Sequence, residues 1–257
     1  MTTLAATAPS GYPGLIWLTR REFMRVARQP TRIAASIGTP LLLWVFFGSG
    51  FAGASHGEGM GYGAYLLPGM ASLTVMFSSI FAAMSLIDDR HAGFLQSVLV
   101  SPLPRWALVG SKILGGSVLA TAQGAMLLLA GPLVGIDAGI GGYLLAIVAL
   151  GAISIGICGF GLAMAWMVDS TQGFHGIMNL VLMPMWGLSG AFFAVDEASR
   201  WLAWLILIDP LTWPTMAMRG ALYETDVGMW PWVGTFAFAM GGFVLAWMMV
   251  GRALKRS

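Results

Sequence analysis

The stretch Gly63-Ala64-Tyr65-Leu66-Leu67-Pro68-Gly69-Met70-Ala71-Ser72-Leu73-Thr74-Val75-Met76-Phe77-Ser78-Ser79-Ile80-Phe81-Ala82-Ala83-Met84-Ser85-Leu86-Ile87 runs for 25 residues without an acidic or basic side chain. Asp88-Asp89-Arg90 follow at once. As a helix the stretch would be about 37 Å long, and a bilayer's ~30 Å hydrocarbon core takes about 20 apolar residues to cross. In lipid the backbone must satisfy its own hydrogen bonds, which an isolated extended run cannot do. The alternation over ~10-residue segments that marks a membrane barrel is absent. The stretch therefore reads as a transmembrane helix that ends in water at its three charges.

Carried along the chain, the same window yields six spans: roughly 31–53, 63–87, 106–135, 141–168, 174–195 and 231–251. The whole composition agrees. Charged residues make up 9% of the 257, where a soluble domain carries about 25%. Hydrophobic residues reach 58%, more than a core of this size could hide from water. These values exclude a soluble enzyme, a nucleic-acid-binding module and a disordered protein. The fold class is an all-α integral membrane protein in one permease domain, 1–257. Cys158 is the only cysteine, so no intrachain disulfide can form.

Basic residues orient the spans, because cytoplasmic loops carry the excess of Lys and Arg. Arg20, Arg21, Arg25, Arg28 and Arg32 precede the first span; Arg90, Arg105 and Lys112 flank the second connection; Arg252, Lys255 and Arg256 follow the last span. With six spans, eleven of the thirteen basic residues fall on one side, and both termini are cytoplasmic. Residues 14–29 form a basic amphipathic segment. At about 100° per residue, Arg20, Arg21, Arg25 and Arg28 share one arc, opposite Leu15, Ile16, Phe23, Val26 and Ala27. Such a helix lies in the headgroup plane with its arginines toward anionic lipid.

The connection 196–230 is different. Its apolar run Trp201 to Ile208 would cover only about 12 Å as helix, and Asp209-Pro210 breaks it. It reads either as two short re-entrant helices at the outer leaflet or as an amphipathic outer loop. Trp201, Trp204, Trp213, Trp230 and Trp232 fit an interfacial depth.

Several chemistries are missing. No span has an acidic or basic residue near its middle, which disfavours a gradient-driven transporter, since such machines keep costly intramembrane charges for their work. Gln123 and Asn179, the conspicuous polar groups at mid-span, read first as interhelical hydrogen-bonding residues. A phosphate-binding loop needs Gly-Lys followed by Ser or Thr, and neither Lys112 nor Lys255 follows a glycine. ATP and Mg, if they drive the protein, must be bound by a separate subunit. Gly187-Leu188-Ser189-Gly190 matches a short serine-protease motif of membranes, yet no histidine follows His175, which lies about 21 Å away on the same helix. Catalytic residues are expected to be none, and so are metal ligands. A membrane-embedded lipid or glycan enzyme would need an interfacial cluster of acids or histidines that the chain lacks.

Two stretches carry a resemblance. Tyr65-Leu66-Leu67-Pro68-Gly69-Met70 opens the second span. Asp88-Asp89-Arg90-His91-Ala92-Gly93 closes it, followed by Phe94-Leu95-Gln96-Ser97-Val98-Leu99-Val100-Ser101-Pro102-Leu103-Pro104-Arg105. Later come Leu188-Ser189-Gly190-Ala191-Phe192-Phe193, Asp209-Pro210-Leu211-Thr212 and Met218-Arg219-Gly220. The sequence resembles the ABC type-2 permeases, the membrane subunits of ATP-driven exporters of drugs, antibiotics, lipids and polysaccharides. Asp209 stands where that family usually has Asn.

The chemistry of 88–105 agrees with the resemblance: Gly93 breaks the helix, Phe94, Leu95, Val98 and Leu99 share one face of a short new helix, and Ser101-Pro102 stops it. The resemblance makes 93–101 a cytoplasmic coupling helix gripped by an ABC ATPase subunit, with Asp89, Arg90, Gly93, Phe94, Leu95, Val98, Leu99, Ser101, Pro102 and Arg105 as coupling residues. It further implies a homodimer in a bacterial inner membrane, surrounded by membrane lipid. The translocation path would lie between the second and fifth spans, with Met76, Phe77, Phe81, Asn179, Met183 and Trp186 as candidate lining for a hydrophobic or amphipathic substrate. Asp209 and Pro210 would form the outer re-entrant break.

Overall fold

The computed structural model of the chain describes residues 11–51, 55–56, 60–93, 104–192 and 198–253. Within them the regular secondary structure is helical apart from a two-stranded ribbon, Ser55–His56 paired antiparallel with Met60–Gly61. The helices are α1 (Gly11–Ala27), α2 (Pro30–Gly50), α3 (Tyr62–His91), α4 (Arg105–Leu128), α5 (Ile140–Ala165), α6 (Thr171–Trp186), α7 (Arg200–Ile208), α8 (Thr212–Tyr223) and α9 (Trp230–Ala253). A 3₁₀ turn, Gly131–Val134, follows α4.

Five helical segments are long and apolar enough to cross a membrane among the described residues: Pro30–Gly50, Tyr62–His91, Trp106–Val134, Ile140–Ala165 and Trp230–Val250. The expected fifth span, 174–195, takes another form. It begins earlier, at Thr171, where Ser170 caps the helix by accepting from the Gly173 N–H at 3.0 Å. Its α-helix stops at Trp186 after 16 residues, about 24 Å against a ~30 Å core. A π turn, Gly187–Ala191, continues it, with Gly190 in the left-handed region at φ 79°. Composition alone cannot register such a break, because Gly187, Leu188 and Ala191 are as apolar as the helix before them. Positions 193–195 lie outside the described residues.

α3 is the axis of the bundle, in contact with α2, α4, α5 and α6. Its most apolar stretch is 89% buried, against 11% for α2 and 28% for α9. A helix apolar on every side must be surrounded; α3 is surrounded by protein, whereas α2 and α9 present most of their surface outward. Leu66, Leu67, Met70, Leu73, Met76 and Ile80 are fully buried along it.

Lipid tails are as apolar as leucine, so close packing and interhelical hydrogen bonds hold such a bundle together. Both are present. A Cβ on Gly159 would lie 2.3 Å from the carbonyl carbon of Gly242, and one on Gly242 would lie 2.3 Å from the Gly156 oxygen. Only glycine allows α5 and α9 this approach. The Ser36 hydroxyl donates to Gln123 Oε1 at 2.7 Å, joining α2 to α4 as the polar mid-span residue leads one to expect.

The N-terminal amphipathic helix runs from Gly11 to Ala27, slightly earlier than 14–29. It packs lengthwise on α4, with the Tyr12 and Trp106 rings 5.4 Å apart and Leu15 against Gly110. In the connection 196–230, two short helices are broken between Ile208 and Thr212, at the predicted Asp209-Pro210.

Candidate functional site

The charges expected to end the second span in water behave otherwise. Asp89 is 2% exposed, and four groups converge on it and its neighbour Ser85. Arg21 and Arg25 of α1 reach Asp89 Oδ1 at 3.2 and 2.5 Å. Lys112 of α4 donates to Asp89 Oδ2 and to Ser85 Oγ at 3.2 Å. Glu22 of α1 lies 3.0 Å from the Lys112 ammonium and accepts from the Ser85 hydroxyl at 3.2 Å. Asp88 sits at the rim, 3.5 Å from Arg25 and 3.6 Å from Arg32.

Taking isolated charges out of water costs several kcal/mol per ion, by order of magnitude, and the cost is met only when every group finds partners. Here they do, and three helices distant in sequence are bound into one unit. The expectation that Arg21 and Arg25 turn to lipid is corrected: both turn inward. Arg20 and Arg28 remain exposed.

Arg90 performs a second joining. Its guanidinium donates to the Ala165 carbonyl at 2.8 Å and the Val168 carbonyl at 3.4 Å, and meets Asp169 at 3.0 Å. The Ala165 carbonyl stands at the C-terminus of α5, where helix ends leave acceptors unsatisfied, and Val168 lies in the turn that follows. Arg90 thus fastens the end of α3 to the turn between α5 and α6. It also lies over the Trp166 ring, 5.4 Å from its centroid.

Gly93 has φ 71° and stops the helix as expected. Phe94, Leu95, Val98, Leu99, Ser101 and Pro102 lie outside the described residues. Arg105 opens α4.

The path candidates are not brought to one surface. Met76 is fully buried in the chain's own core and Trp186 is 5% exposed. Phe81 stacks on His175, ring centroids 5.9 Å apart and planes 9° apart, with the Arg32 guanidinium 6.0 Å from the Phe81 centroid. His175 Nδ1 and Asn179 Oδ1 are buried without a hydrogen-bond partner among the described residues. Met183 is exposed on α6 and Phe77 is partly buried.

On the other side of the molecule, Asp209 accepts from the Leu211 N–H at 2.9 Å. Its other carboxyl oxygen is buried and unpartnered among the described residues. Burial pushes the Asp209 pKa up to about 7, against the opposing Leu211 hydrogen bond. Arg219 of α8 places its guanidinium 3.9 Å from the Tyr65 ring centroid and donates to the Tyr65 hydroxyl at 2.9 Å, so α8 is fastened to the start of α3. Ser189 is buried and its hydroxyl donates to the Trp186 carbonyl at 2.7 Å, a structural bond and no nucleophile's arrangement. Among the described residues there is no group of three or more potential metal ligands.

Glu22 escaped the sequence reading. A signal existed: Leu15, Glu22 and Val26 are spaced seven and four residues apart, so the carboxylate falls on the apolar face and demands a buried cation.

A helical membrane bundle with an ion-paired junction at one end and a broken pair of short helices at the other defines a polytopic membrane protein built around one central span. Residues 13–223 match the family described as ABC-2 type transporter, and the chain belongs to that family. It is 28% identical over 211 residues to the ycf38 protein of Cyanophora paradoxa, covering 80% of this chain and 72% of that one. It is 23% identical over 259 residues to the daunorubicin resistance ABC transporter permease protein DrrB1 of Streptomyces coeruleorubidus, covering 98% and 88%. Membership makes the chain a membrane permease subunit and implies a cytoplasmic ABC ATPase as its partner.

Proposed function

We propose that the chain is the membrane half of an ABC exporter that moves a hydrophobic or amphipathic substrate outward, working as a homodimer on two ATPase subunits in a bacterial inner membrane. In this reading α2, α3, α4, α5, α6 with its π turn, and α9 are the six spans. Both termini and the 88–105 connection face the cytoplasm, α1 lies at the inner membrane surface, and α7 and α8 are the re-entrant outer pair. ATP and Mg are held by the ATPase.

One observation carries the reading. The Asp89 junction ties α1, α3 and α4 together within a few residues of the segment 93–101, and Arg90 ties the same helix end to the α5–α6 turn. A push on a coupling helix at 93–101 would therefore move five helices as linked bodies, which is how a packed interior turns a local shift into a change of state. Phe94, Leu95, Val98 and Leu99 would supply an apolar face to a cleft on the ATPase. The daunorubicin resistance relative supports export and a drug-like substrate.

The experiment is reconstitution with the ATPase in vesicles. Leu95→Asp with Leu99→Asp should abolish ATP-driven uptake of a fluorescent amphipathic drug into inverted vesicles while the permease still inserts at wild-type level. Undiminished uptake overturns the coupling role. Uptake driven by a proton or sodium gradient without the ATPase overturns the exporter reading.

A further inference from the structure

We propose that the groove between α1 and α4 is a discrete binding site for one anionic phospholipid, with an acyl chain on the apolar walls and the phosphate on Arg20. The groove encloses about 470 Å³. Leu15, Ile16 and Phe23 of α1 form one wall, and Leu114 and Val118 of α4 the other. Its floor is the close approach of the two helices at Gly115, where a Cβ would lie 2.7 Å from the Glu22 Cβ.

Three further observations select the occupant. Leu114 and Val118 belong to an exposed stripe on α4 that continues through Met126 and Leu129, at the spacing of successive helical turns. The groove thus opens into the surface that α4 turns toward lipid, and a chain lying there continues along it. Charge comes next. Arg21 and Arg25 are committed to Asp89, whereas Arg20 lines the groove, is exposed, and makes no ion pair among the described residues. The Trp17 ring lies 5.6 Å from its guanidinium, an aromatic and a cation together at headgroup depth. Finally, Thr19 also lines the groove, and its buried hydroxyl has no partner among the described residues. A buried hydroxyl without a partner is costly, and a lipid ester or glycerol oxygen would satisfy it. Apolar walls, one hydroxyl and one cation at the rim match a phospholipid from chain to phosphate.

The inference rests on α1 lying at the membrane surface. It is tested without ATP or ATPase, so its failure and that of the exporter reading are separable. The full-length protein in detergent is titrated with phosphatidylglycerol and with phosphatidylcholine of the same chains, and retained lipid is read by native mass spectrometry. Phosphatidylglycerol should be retained preferentially, as one tightly held molecule per chain. Arg20→Gln should weaken its retention about fivefold, the effect of one cation near an anionic headgroup. Val118→Trp, which fills the groove from an exposed position, should abolish it. Arg28→Gln removes an equally exposed arginine outside the groove and should change nothing. Equal retention of the two lipids, an equal loss in Arg28→Gln and Arg20→Gln, or full retention in Val118→Trp overturns the proposal. Displacement of the lipid by inorganic phosphate overturns it too, because headgroup charge alone would then suffice.

Discussion

The indole N–H of Trp186 donates to the carbonyl oxygen of Gly69 at 2.7 Å, joining the end of α6 to the first third of α3. The bond lies where the α-helix gives way to the π turn, and Phe192 packs edge-on against the indole with centroids 4.9 Å apart. Trp186 therefore fastens the broken end of α6 to the central helix.

Trp186→Phe keeps the ring and removes the donor. Such bonds inside membranes contribute about 1 kcal/mol, so the melting temperature in detergent should fall modestly while ATP-driven transport by the assembled complex stays the same. Altered transport with unchanged melting would contradict this fastening role.

At the opposite end, Asp89 and Lys112 are buried partners, their side chains 3% and 5% exposed. Asp89→Asn or Lys112→Met alone leaves a charge without its main partner, and each should destabilise by about 3–5 kcal/mol. The double substitution should cost less than the two single effects added, because contacting residues are not additive. The comparison is made on thermal unfolding of the purified variants, and simple additivity would contradict a direct pair.

Asp209 predicts a pH dependence. Its folded pKa of about 7 lies above the ~3.9 of an unfolded aspartate, so folding binds a proton between those values. The stabilisation is complete below about pH 4 and is lost as pH rises through about 7. Asp209→Asn, which keeps the acceptor for the Leu211 N–H, should remove this slope and raise stability above pH 7. Melting curves from pH 5 to 8.5 test it; parallel curves for both proteins would refute a buried carboxyl.

Gly242→Ala should separate α5 from α9, since the added carbon would lie 2.3 Å from the Gly156 oxygen; overpacking of this kind costs about 1–3 kcal/mol. Gly241→Ala is the control. A Cβ there meets nothing within 4 Å, and the substitution should be neutral in the same unfolding assay.

Much of the architecture is legible in single runs of residues. The uncharged stretch from Gly63 to Ile87 announces a span by length alone, and Asp209-Pro210 announces a helix break by local backbone chemistry. The interhelical role of Gln123 follows from the cost of an amide in lipid. The shortness of α6 is less legible, because its π turn is built from residues that score as apolar as a helix. The path candidates on α3 and α6 could not be sorted by residue type: Met76 and Met183 are both methionines, and one is enclosed while the other faces outward.

Composition, periodicity and charge bias settle that this chain is a helical membrane protein, where its helices lie, and which end of each carries the cations. Those are properties of contiguous segments, set by the bilayer acting on one helix at a time. Which side chains are buried, which carboxylate each arginine meets, and how α3 comes to lie at the centre depend on residues from different helices meeting in space. Arg25 and Asp89 look like two solvated charges until packing removes the water between them.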